Sequence, residues 1–98
     1  MSDAENAKTR TRAVGGTGAL LSGDREVPVR YDLVEAQGGR VFAAGAVFGD
    51  AEALCGVFGA GPCILRLETG QPVHAYLEDC RASAGVADIR ITDPIDWT

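Results

Sequence analysis

Three cysteines and a single histidine give this 98-residue chain its widest chemical options. Cys55, Cys63, His74 and Cys80 would supply three thiolates and an imidazole, a donor set that suits zinc by ligand type. The spacing speaks against a site: eight, eleven and six positions separate successive members, whereas zinc knuckles and ribbons place paired ligands about two to four residues apart. Cys55 and Cys63 are flanked by apolar residues and read as small hydrophobes, so no metal and no cofactor is expected. With one histidine, any Ser-His-Asp or Cys-His pair must use His74. Cys80 is the best nucleophile, because the charge of neighbouring Arg81 favours its thiolate, and this gives the reading of a small cysteine-dependent hydrolase. Against it, six extended residues span about 20 Å, so His74 and Cys80 on one strand and its exit do not meet. Ser22 and Ser83 have no evident base. An odd number of cysteines without a CxxC pair suits reduced thiols in a reducing compartment better than a disulfide scaffold.

The remaining chemistry is electrostatic. Glu78 and Asp79 point to opposite faces of a strand, and Asp93 and Asp96 flank Pro94; both pairs read as solvated surface. The glycine-rich GGTGAL at 15–20 lacks the lysine of a P-loop and the third glycine and following helix of a dinucleotide fingerprint. Two groups are left as binding candidates: Lys8, Arg10 and Arg12 in a basic amino-terminal stretch, and Arg66, His74 and Tyr76 on the polar face of a hairpin.

That hairpin, 64–79, organises the rest. Successive strand side chains point to opposite faces, so Leu65 and Leu67, then Val73, Ala75 and Leu77, share one face, while Arg66, Glu68, His74, Tyr76 and Glu78 share the other. Matching the apolar sets requires an odd loop. The pattern picks a three-residue loop, Thr69–Gly70–Gln71, which sets Leu65 opposite Ala75 and Arg66 opposite His74, although such loops usually want glycine last and here it is central; a five-residue loop keeps the same facing.

Upstream, residues 1–16 read as a disordered polar tail and 17–98 as a single domain. Thr17–Ser22 is a short strand, with a turn at Gly23–Asp24. Glu26–Glu35 alternates with Val27, Val29, Tyr31 and Leu33 inward, and Pro28, lacking an amide proton, puts that end of the strand at an edge or beside a bulge. A turn at Gln37–Arg40 opens Val41–Phe48, apolar on both faces and read as a covered central strand. Ala51, Leu54, Cys55 and Phe58 recur at helical spacing after a capping Asp50 and before a closing Gly59. Downstream, Cys80–Gly85 reads as a loop and Val86–Thr92 as a last strand with Ala87, Ile89 and Ile91 inward. Ile95 and Trp97 would pack across the open end of the sheet. Two three-stranded meanders joined by one short helix predict an all-β fold, a six-stranded antiparallel β-barrel or split barrel.

Net charge is −5, and the acidic body repels phosphate backbones, which argues against nucleic acid. No apolar leader is visible, and the longest apolar run, eight residues at 41–48, falls far short of the roughly 20 needed to span a bilayer. The expectation is a non-enzymatic binding or adaptor module of the bacterial cytoplasm, with a protein partner or a homodimer through an exposed strand edge.

The ordered motifs GTGAL at 16–20, VPVRYDL at 27–33, AGAVFG at 44–49 and LRLETGQPVHAYL at 65–77 resemble those of small bacterial all-β proteins of unassigned function. Lys8 and Arg12 also share the RxxxR spacing of PilZ domains, barrels that bind cyclic di-GMP. That resemblance implies a sensor holding a cyclic dinucleotide or other anionic ligand on the basic tail. Lysine replaces the first arginine, and Cys80–Gly85 comes nearest to the family's second motif with cysteine at its acidic or amide position.

Overall fold

A computed structural model describes residues 12–36 and 41–95. Six antiparallel strands, β1 (Ala13–Ser22), β2 (Arg25–Glu35), β3 (Ala43–Phe48), β4 (Cys63–Arg66), β5 (Pro72–Arg81) and β6 (Val86–Ile91), close into a barrel in the order β1-β2-β3-β6-β5-β4. One helix, α1 (Ala51–Ala60), links the two meanders. The all-β barrel expected from the alternation is therefore present, in its closed form.

Sidedness is as the sequence requires. Val27, Val29, Tyr31 and Leu33 of β2, Leu65 and Leu67, Val73, Ala75 and Leu77 of β5, and Ala87, Ile89 and Ile91 of β6 are all buried, and the described core contains no polar or charged residue apart from the tyrosine hydroxyl. Pro28 pairs with Ala19 on one side, while the β2–β3 ladder has already ended at Arg30, so the missing amide costs no ladder bond.

Several expectations require correction. The β4–β5 loop has five residues, Leu67–Gln71, because Arg66 pairs with Pro72, Leu65 with Val73 and Ile64 with His74. Gly70 adopts φ +98° in that loop, a left-handed conformation that favours glycine, at the last position of the turn that the Leu67 amide closes on the Gln71 carbonyl at 2.8 Å. Arg66 and His74 are thus diagonal neighbours, not opposed ones. β1 begins at Ala13, four residues before the expected Thr17, since the ladder with β2 continues through Ala13–Val34. Cys80 and Arg81 extend β5 past a bulge between Leu77 and Asp79, leaving a short 3-10 turn (Ala82–Ala84) as the loop. The outer face of β3 carries half-buried Ala44, Ala46 and Phe48 with no covering layer among the described residues; Arg30 lies 4.8 Å from the Phe48 ring centroid instead. The turn at 37–40 and Trp97 lie outside the described residues.

Asp50 caps α1 as expected, its Oδ2 accepting from the Ala53 amide at 2.9 Å. The buried face differs: Leu54 and Val57 enter the core and Phe58 is 43% exposed, because α1 plugs the barrel end rather than lying flat on a sheet. Gly61, at φ +95°, ends the helix in place of Gly59. Ile95 joins the core four residues after β6.

The cysteines are not three free thiols. Cys55 of α1 and Cys80 of β5 form a disulfide with Cα atoms 5.7 Å apart, and Cys63 is the free, buried one. Spacing in sequence carries no information on this pair, which the packing of α1 against the end of β5 brings together. The cysteine argument for a reducing compartment falls with it.

Closing a 25-residue separation limits the unfolded chain, so replacing both Cys55 and Cys80 by serine is expected to cost about 3 kcal/mol in urea unfolding. A thiol reagent under non-reducing conditions should find no reactive sulfur in the native protein and one after denaturation; three after denaturation would show that the bond does not form.

Candidate functional site

The outer face of β4, β5 and β6 carries most of the polar side chains singled out above, and the structure pairs nearly all of them. Arg66 Nη2 lies 2.7 Å from Glu26 Oε2. Arg90 bonds Glu78 at 2.9 Å, and Arg81 reaches both Asp88, at 2.9 Å, and Asp79, at 3.2 Å. The hydrogen bonds from Arg81 hold the Asp88 carboxyl below its ordinary range. Tyr76 is half-buried opposite Arg90. Such exposed pairs contribute little stability each, but they leave few uncompensated charges on this face.

His74 is held differently. Asp93 Oδ2 accepts from the His74 backbone amide at 2.8 Å and lies 2.7 Å from Nδ1. The backbone hydrogen bond, then the ring, lowers the Asp93 carboxyl below its usual value. Thr92 Oγ1 and its amide both donate to the His74 carbonyl, so the imidazole sits on a fixed frame.

Beside it lies a shallow cleft of about 260 Å³, lined by Leu21, Gly23, Pro62, Cys63, Ile64 and His74. One row of the barrel builds it: Leu21 on β1 pairs with Ile64 on β4, and Ile64 with His74 on β5. Sequence reading missed Leu21 and Ile64. The signal was available, because Ala19–Leu21 and Cys63–Leu65 are apolar without alternation, and an apolar residue on the outer face of an antiparallel sheet calls for a partner there.

The expected nucleophile is not available. The Cys80 sulfur is bonded to Cys55, and burial pushes the Cys63 thiol up to about 11, which keeps it protonated at neutral pH. The same disulfide dismantles the three-thiol set around His74, and no cluster of three or more metal-ligating side chains occurs among the described residues.

The two groups of binding candidates do not converge. Arg12 stands beside Glu35 at the start of β1, its Nε 3.6 Å from Oε1. Arg66 lies level with Ala19, seven positions and about 23 Å further along the strand from Arg12. The segment Cys80–Gly85, compared above with a PilZ motif, closes the opposite barrel end from Arg12. Lys8 and Arg10 lie outside the described residues. No described helix is long and apolar enough to cross a membrane.

No protein-family model matches the chain, and neither a curated protein nor a solved structure matches it.

The lowered Asp93 carboxyl adds stability that is complete above pH of about 4, where an unfolded aspartate is ionised, and that disappears as pH falls through its folded value. Asp93→Asn is therefore expected to shrink the loss of stability between neutral and strongly acidic pH, measured by urea unfolding at both. An undiminished acid loss would show that the His74–Asp93 contact is not formed in solution.

Proposed function

We propose that the protein is a non-enzymatic binding module that seats an apolar side chain of a protein partner in the Leu21–Ile64–His74 cleft. The observation that carries this reading is the contrast between the two faces of the barrel. The described interior is closed and lined by apolar side chains, while one outer row presents Leu21 and Ile64 next to a histidine fixed by Asp93.

Size selects the class of occupant. Small-molecule sites usually enclose about 300–1,000 Å³ and wrap most of the ligand. This cleft is smaller and open, and it suits one anchoring side chain of a larger surface. The adjacent polar groups, His74 at the rim and the Glu26–Arg66 pair on the same face of β4, would set orientation rather than supply most of the affinity.

Titration of isotope-labelled protein with N-acetyl amides of leucine and tryptophan tests this. Amide shifts should concentrate at residues 21, 23, 62–64 and 74, and Ile64→Asp should remove them with the fold intact by circular dichroism. Shifts spread evenly over the barrel, or unchanged by Ile64→Asp, would overturn the reading.

A further inference from the structure

The amino-terminal half of β1 leaves hydrogen-bonding groups open. Glu35 donates its amide to the Arg12 carbonyl, so even-numbered residues of β1 turn their backbone groups to β2 and odd-numbered ones turn theirs away. Ala19 and Leu21 spend theirs on β4. Thr17 donates its amide to Glu68 Oε1 at 2.9 Å. The amides and carbonyls of Ala13 and Gly15 have no partner among the described residues, and both residues are exposed. Natural edges are usually protected by lysine, proline, a bulge or a covering loop; among the described residues none of these stands at Ala13–Gly15.

We propose that two copies of the chain join through this edge, β1 against β1, antiparallel and two-fold symmetric about Val14. In that register Ala13 of each copy faces Gly15 of the other, so every open amide at these two positions finds a carbonyl, and the Thr17–Glu68 bond stays undisturbed. A self-complementary patch of this kind is what a closed dimer requires.

Charge favours a second copy over an unrelated strand. A side chain at Gly16 would meet Glu68 Oε1 at 2.6 Å, so this carboxylate lies over the even-numbered face of β1 at Gly16. In the Val14-centred register, Arg12 falls opposite Gly16 of the second copy, on that same face, where directly opposed side chains are within reach. The Arg12 side chain is 63% exposed and is held only by a 3.6 Å contact with Glu35, so it is free to bridge to the second copy's Glu68 at each end of the seam. The Leu21–Ile64–His74 cleft lies about 20 Å along β1 from Gly15 and stays open in this arrangement.

Sedimentation equilibrium of the full chain, from micromolar to millimolar, should show a mass rising toward twice the 10.2 kDa of one chain. Ala13→Pro removes one outward amide per copy while sparing the β1–β2 ladder, and is expected to raise the dimer dissociation constant about tenfold. Glu68→Gln keeps an oxygen for the Thr17 amide but removes the charge; it should weaken the dimer a few-fold at low salt and abolish its salt dependence. A chain that stays monomeric throughout, or a dimer indifferent to a folded Ala13→Pro variant, overturns the proposal. Should Ala13→Pro fail to fold, Glu68→Gln decides: a dimer unmoved by it, and by salt, overturns the register and the edge together.

Discussion

The barrel depends on a short seam. Only Ala19–Leu21 of β1 pair with Ile64–Arg66 of β4, and without them the six strands would form an open sheet with a long apolar face. The seam is tight because Gly18 lets the Arg66 carbonyl approach where any side chain would collide with it. Beyond the last pair, a carboxylate continues what the backbone cannot: Glu68 takes the Thr17 amide, and its own amide donates to the Tyr31 hydroxyl at 2.9 Å. Tyr31 is buried at 2% exposure and its ring lies beside Gly16 and Gly18. One aromatic side chain thus fills the space left by two glycines and anchors the loop that completes the closure, satisfying its polar atom in doing so.

This explains which parts of the fold were legible. Inward and outward facing follows the two-residue period of strand geometry, so β2, β5 and β6, where apolar and polar residues alternate, could be read from their pattern alone. Strand pairing needs information that is not local. The register of β4 against β5 depends on a loop in which Gly70 takes a left-handed backbone, and the pairing found differs by two residues from that of a Thr69–Gln71 loop without changing any facing. The start of β1 was obscured for a related reason: Gly15 and Gly16 look like a flexible entry until Asp32 and Tyr31 are seen packed against them.

The candidate site was legible only in halves. His74 stood out by type, and its strand and face were correctly read, but Asp93 is nineteen residues away and meets it only because β6 returns alongside β5. Leu21 and Ile64 belong to strands from different meanders, and they become neighbours through the same seam that closes the barrel. The disulfide shows the limit most clearly, since Cys55 reaches one end of the barrel from a helix and Cys80 arrives there at the end of a strand.

Chain connectivity also orders the assembly of this protein in time. Four of the six ladders, β1–β2, β2–β3, β4–β5 and β5–β6, join strands that follow one another in sequence, whereas β3–β6 and β1–β4 unite the two halves. The local hairpins carry a small loop-closure entropy, and the two long-range ladders carry a larger one that is recovered only when both halves bury their leucines and valines against each other. The larger closure cost therefore falls on the docking of the two meanders, the step that covers the apolar face of each half.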